Sequence, residues 1–191
     1  MGLVLSYFVN PWAGLPLYIL AAFCLYFFRD PDRVAPSGDV LVAPADGKVV
    51  AVRDLGAGET RISIFLNIFD VHVNRTPIPG KVMQVVYTKG KFMVASQELA
   101  SSDNEQNTLV IEGNGTRVTC RQIAGLIARR IICYKHAGDM VGPAERIGYI
   151  KFGSRVDVVY GPEWQTTVKL GARVSAGTSI LAKRLEKPEA V

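Results

Sequence analysis

Hydrophobic and polar positions divide this chain into two unlike stretches. From Met1 to Phe28 there is no charged side chain, and Trp12 to Phe28 is almost wholly apolar. A membrane-spanning helix needs about 20 apolar residues, and Asn10, Pro11 and Pro16 shorten what is available here. The basic start and small-residue cleavage site of a secretory signal are missing. Residues 1–28 therefore predict a retained hydrophobic, membrane-anchoring helical segment, either a short tilted span or a hairpin dipping into one leaflet. The ordinary alternative is a buried helix of the domain.

A polar, proline-containing linker follows over 29–39, RDPDRVAPSGD. From there the period changes to two. Short runs of Val, Ile and Phe alternate with Gly, Pro and Asp turns, the pattern of strands. Strands are expected at 40–42, 48–53, 61–66, 81–87, 108–112, 117–123, 130–134, 146–151, 155–159 and 179–184. Phe92–Leu99 fits neither period, and no amphipathic helix follows the anchor. The fold class expected is mainly β: a compact β-sandwich or barrel-sandwich-hybrid-like domain over 40–191 behind the N-terminal segment. HAGDMVGPAERIGYI (136–150) is echoed by KLGARVSAGTSIL (169–181). This scheme occurs in barrel-sandwich domains that carry lipoyl or biotinyl groups on a hairpin lysine. Lys48 is the nearest such lysine, but its flanks match a carrier hairpin poorly, so the echo speaks for a compact β fold.

Charge adds a location. No Lys or Arg precedes the apolar stretch, and Arg29 and Arg33 follow it. Positive residues stay cytoplasmic, so the β domain is expected on the cytoplasmic face of the cell membrane. A net charge of +5 suits an anionic bilayer surface. Nucleic acid is disfavoured, because Lys and Arg are scattered and no basic helix or aromatic–basic motif occurs. Cys24, Cys120 and Cys133 form no C-x-x-C, which argues against a zinc site or a disulfide framework; no metal is expected.

Four segments carry candidate chemistry. Gly153-Ser154 joins two apolar runs. The ordinary reading is a hairpin turn; the reactive one is an acyl shift, in which the hydroxyl attacks the preceding carbonyl and the glycine tolerates a strained backbone. In DVHVNR, strand alternation places Asp70, His72 and Asn74 on one face. A histidine there is a natural base for a serine hydroxyl, although a solvated face explains the pattern equally well. Asp46 in PADGK is either an Asx turn or the residue that orients the imidazole. Asn104, Glu105 and Asn107 form a polar cluster, loop or substrate-facing. His136 reads as a surface residue.

FFRDPDR, APADGKV, NIFDVHVNRTPIPG, NEQN and FGSRVD, in this order, resemble the short form of the phosphatidylserine decarboxylase family over nearly the whole chain. The resemblance implies autocatalytic cleavage between Gly153 and Ser154 into a large chain, 1–153, and a small chain, 154–191. Ser154 becomes a covalent pyruvoyl group, and Asp46 and His72 assist the cut. It implies decarboxylation of a serine phospholipid, ester- or ether-linked, to its ethanolamine form through a Schiff base. The long form carries a second histidine where Arg75 stands here. Arg75 or Arg155 is a candidate for the lipid phosphate or carboxylate, with Asn104 and Glu105 as further substrate-side candidates. The partners implied are the lipid, the membrane and the two chains of one heterodimer; exposed edge strands would permit further self-association. The rival readings are a membrane-tethered adaptor and a lipoyl- or biotinyl-type carrier.

Overall fold

The computed structural model describes residues 1, 3, 7, 12–91, 103–126, 130–151 and 153–185, in two units, Met1–Pro31 and Asp32–Val191. The first unit holds helix α1 (Leu15–Phe27). Its 13 residues extend about 20 Å at 1.5 Å each, against about 30 Å of bilayer hydrocarbon. No helix among the described residues is long and apolar enough to cross a membrane, so α1 does not support the spanning form of the anchor. Pro16 does not interrupt the helix; it lies in the first turn, where its missing N–H sacrifices no bond.

The second unit is built from β1 (Val40–Val42), β2 (Gly47–Gly56), β3 (Glu59–Leu66), β4 (Val73–Arg75), β5 (Gly80–Thr88), β6 (Gln106–Gly113), β7 (Thr116–Ile123), β8 (Ile131–Cys133), β9 (Met140–Val141), β10 (Arg146–Ile150), β11 (Ser154–Tyr160), β12 (Trp164–Thr166), β13 (Arg173–Val174) and β14 (Ile180–Arg184). The predicted strands are all present, and β4, β9, β12 and β13 add short ones. Phe92–Leu99 lies outside the described residues.

The eight-stranded sheet runs β13-β2-β3-β11-β7-β6-β5-β9, and two three-stranded sheets run β1-β14-β12 and β4-β10-β8. These orders read as two matching halves, with β11 and β7 meeting at the centre. Backbone bonds repeat in step. Val42 N–H donates to Pro77 O and Arg75 N–H to Pro44 O, both at 2.9 Å. Gly171 N–H donates to Val49 O, and Gly138 N–H to Val82 O; the offset from 49 to 82 is that from 138 to 171. Gly47 and Gly80, at φ of 150° and 154°, open the matching strands β2 and β5. A Cβ at either would run into a carbonyl oxygen, that of Phe65 or Glu112. The internal echo in the sequence is thus a structural duplication.

Alternation decides what lies inside. Ile62, Ile64 and Leu66 of β3, Leu109 and Ile111 of β6, and Val118 and Cys120 of β7 point inward, and Leu41, Ile147, Ile150 and Leu181 of the smaller sheets complete the same core. Burial pushes the Cys120 thiol pKa well up, so it stays a small apolar residue. In β11 every residue is buried. A strand buried on both faces must match any charge it carries inside the protein.

Candidate active site

Ser154 opens β11, opposite Leu66, the last residue of β3. On its other side Arg155 pairs with Ile123 of β7, which sets Ala124 beside Ser154. The serine is fully buried, and its Oγ has no hydrogen-bond partner among the described residues. A buried hydroxyl without a partner costs about 1–3 kcal/mol, so its presence calls for a chemical reason. Gly153 immediately before it has φ +63°, and nothing lies within 4 Å of where a Cβ would stand. Backbone conformation alone, not space, favours glycine there.

His72 enters from the chain leading into β4. Its carbonyl accepts from Ile150 N–H at 3.4 Å, which places the residue against the end of β10, before the turn that delivers Ser154. The ring is buried, and Nδ1 lies 2.9 Å from the Asp70 carbonyl oxygen. A carbonyl only accepts, so Nδ1 carries a proton, which in the neutral form of the ring leaves the lone pair on Nε2. Asp70 is fixed in turn. Its Oδ2 accepts from Asn67 N–H at 2.9 Å and its Oδ1 from Arg173 at 2.5 Å.

A chain of amides lies along the same interior face. Asn107 Nδ2 donates to Gln122 Oε1 at 3.0 Å, and Gln122 Nε2 donates to Asn74 Oδ1 at 2.9 Å. Gln122 stands opposite Val156, two residues along the Ser154 face. The residue pattern of β7 held a signal for this: Gln122 continues the inward series Thr116, Val118, Cys120. Nothing local named its partner.

Asp46 has other hydrogen-bond partners. Its Oδ2 accepts from Arg33 at 2.9 Å and its Oδ1 from Ala176 N–H at 2.7 Å. The structure thus orients the imidazole with the Asp70 carbonyl, while both Asp46 oxygens hold the linker and the turn before β14. Arg155 is buried in the sheet, with Nε 2.6 Å from Asp157 Oδ1 and Nη2 2.6 Å from Ser63 Oγ. That commitment gives no support to a lipid contact at Arg155. Arg75 is also buried, with Nη1 3.2 Å from Ala144 O. Asn104 donates to Ala124 O at 2.8 Å, and Ala124 N–H donates to Glu105 O at 2.9 Å, so this pair pins the residue beside Ser154. The Glu105 carboxylate also accepts from Tyr87. Burial first, then that bond and the negative charge, push the Tyr87 pKa up to about 12. His136 is an exposed residue of the turn before β9. Among the described residues no group of three or more His, Cys, Asp or Glu could hold a metal.

The arrangement offers a buried hydroxyl after a left-handed glycine and a buried imidazole in the chain that leads into β4. The family model for phosphatidylserine decarboxylase matches residues 20–182. A protein of Solibacter usitatus named phosphatidylserine decarboxylase proenzyme is 59% identical over 184 residues, covering 96% of this chain and 90% of that protein. Proteins of the same name from Cupriavidus metallidurans and Beijerinckia indica are each 46% identical, covering 90% and 97% of this chain and 82% and 84% of their own lengths.

Proposed function

This chain belongs to the phosphatidylserine decarboxylase family, and from that premise we propose how its own residues mature the enzyme and serve its reaction. The protein is a proenzyme of a pyruvoyl-dependent decarboxylase that converts phosphatidylserine to phosphatidylethanolamine and carbon dioxide. The observation that carries the assignment of residues is the buried, unpartnered Ser154 hydroxyl behind Gly153. A pyruvoyl group made from Ser154 fits this position, because Oγ, the atom lost on conversion, makes no hydrogen bond among the described residues.

In maturation His72 Nε2 accepts the hydroxyl proton as Oγ bonds to the Gly153 carbonyl carbon. The carbon–nitrogen bond then breaks and the Ser154 nitrogen takes up the proton, leaving an ester. Loss of the Ser154 α-proton expels the Gly153 carboxylate and leaves dehydroalanine, and water replaces its nitrogen, released as ammonia, with the ketone oxygen. The mature group supplies an electron sink for the departure of carbon dioxide. Around it His72 handles the proton at the substrate α-carbon. Asp70 holds the tautomer, and the Asn74–Gln122–Asn107 amides set a polar wall. Asp46 acts at one remove, by fixing Arg33 and the Ala176 turn.

The two chains remain one heterodimer, because β11 keeps its pairing with both β3 and β7 after the cut. The apolar surface of α1, including Leu15, Ile19, Leu20 and Leu25, rests in one leaflet. Arg29 and Arg33 keep the catalytic unit on the cytoplasmic side.

Denaturing electrophoresis with mass analysis of purified protein tests this. Two chains, 1–153 and 154–191, are expected, the smaller with a blocked terminus that reacts with hydroxylamine. His72→Ala should remain one chain. An active protein that is a single uncut chain would overturn the proposal.

A further inference from the structure

The turn between β3 and β4 carries a feature that catalysis does not use. Asn67 to Asp70 is closed by three internal bonds: Asp70 N–H to Asn67 O at 3.1 Å, Phe69 N–H to Asn67 Oδ1 at 2.8 Å, and Asn67 N–H to Asp70 Oδ2 at 2.9 Å. Arg173 clamps the same Asp70 carboxylate from β13. None of these bonds uses the side chain of Ile68 or Phe69. The two central positions of a turn ordinarily carry Pro, Asp, Asn, Ser or Gly. Here they carry two large apolar residues, 38% and 61% exposed.

A further exposed apolar residue lies on the other side of Ser154. Leu126, 54% exposed, follows the end of β7. Since β3 and β7 are the two neighbours of β11, the two segments leave the sheet roughly 10 Å apart, with Ser154 between them. The same end of the sheet is basic. Lys48 pairs in register with Arg173 and Phe65, Lys151 N–H meets Arg130 O, and Lys48, Arg130 and Arg173 are exposed. The carboxylates described at this end are engaged: Asp46 with Arg33, Asp70 with Arg173, Asp103 with Lys91, Glu105 with Tyr87. The opposite end carries Asp54, Glu59, Glu112 and Glu163 among its basic residues.

We propose that the Ser154 end of the catalytic unit is itself a membrane-docking surface for an anionic bilayer. Ile68, Phe69 and Leu126 enter the head-group layer, and Lys48 and Arg130 meet lipid phosphates. The proposal rests on the reading that the substrate is a phospholipid, and it adds where the lipid is met. The Asn67–Asp70 turn that enters the bilayer is also the turn whose Asp70 carbonyl holds His72. Docking therefore brings the head group to the imidazole without a long excursion of the lipid from its leaflet.

The test uses full-length protein with Ile68→Ser/Phe69→Ser and, separately, Leu126→Ser. Both variants should process completely. Turnover of phosphatidylserine in vesicles should fall at least about tenfold, while turnover of a short-chain phosphatidylserine below its micelle concentration stays within about twofold of the parent. Equal losses on both substrates, or no loss on vesicles, would overturn the docking surface. A second readout needs no catalysis. A Phe69→Trp reporter should be quenched by vesicles of brominated phosphatidylglycerol beyond the quenching seen in the parent protein. Protein that is quenched but decarboxylates neither substrate keeps the docking surface and removes the lipid reaction. An unquenched reporter, together with a variant that scatters light as a smaller species than the parent, makes the patch a contact between copies and rejects the membrane.

Discussion

Removing the Asp157 carboxylate should destabilise this protein by several kcal/mol, as much as the largest truncations of its apolar core. Arg155 is 1% exposed and Asp157 0%. The guanidinium reaches both carboxylate oxygens, at 2.6 and 3.4 Å, and Ser63 Oγ at 2.6 Å. Arg61 adds a second cation 4.0 Å from the same carboxylate. Asp157→Leu keeps the branched outline with a larger side chain and leaves the buried Arg155 cation without this anion, which costs about 3–5 kcal/mol. At roughly 2–4 °C per kcal/mol for a chain of this size, Tm should drop by about 6–20 °C. Arg155→Met leaves Asp157 with Arg61 nearby and should cost less. Arg155→Met/Asp157→Leu replaces a charged pair by an apolar one and should recover most of the loss, since such exchanges are often neutral. Urea unfolding in a Ser154→Ala background reads this from a single uncut chain. An Asp157→Leu loss below about 1 kcal/mol, or a double variant no better than Asp157→Leu alone, would refute the reasoning. With Ser154 restored, the double variant should still decarboxylate lipid; if it is stable yet inactive, Arg155 touches substrate after all.

Two further outcomes follow from single contacts. Ser154→Ala should be at least as stable as the uncut parent, because it deletes a buried hydroxyl that bonds to nothing described, and a melting curve well below that of the uncut His72→Ala precursor would contradict it. Glu145 accepts from Lys135 and from Gly142 N–H, which together hold its pKa below the usual carboxylate range. A depressed folded-state pKa contributes stability above the unfolded value and loses it as pH falls through the folded one. Glu145→Gln should therefore melt below the parent at neutral pH, with the gap closing in acid; a gap that persists at low pH would assign the effect to shape.

Much of the frame was legible, because an alternating apolar pattern permits few alternatives. Val118, Cys120 and Gln122 inward against Arg117, Thr119 and Arg121 outward leave one register for β7. Ser154 and His72 stood out in the sequence as candidate chemistry because each stands in a segment whose other residues are strand or turn. Partners were less legible. Gln122 meets Asn74 across distant chain, and Asp46 meets Arg33 from a linker that looked like a spacer. The Arg155–Asp157 pair was within reach, since residues two apart on a strand share a face, but only burial of both faces of β11 shows that the charges must match. The two- and three-residue strands β9, β13, β4 and β12 are too short to show a period, and they exist through the bonds of their longer neighbours.

The doubled architecture supplies its own control for Ser154. Thr116 opens β7 opposite Gly113, the last residue of β6, just as Ser154 opens β11 opposite Leu66. Both are hydroxyl residues at corresponding corners of one sheet. The Thr116 oxygen accepts from the Trp164 indole at 2.9 Å and donates to Glu163; no such bonds hold Ser154. One corner is engaged by its neighbours and serves as a rivet, while the hydroxyl of its twin has no hydrogen bond among the described residues and is the one we propose the chain turns on itself. On the proposed maturation, reactivity is a broken symmetry: what distinguishes the Ser154 corner is less the presence of a hydroxyl than the lack, among the described residues, of the partners that occupy its twin.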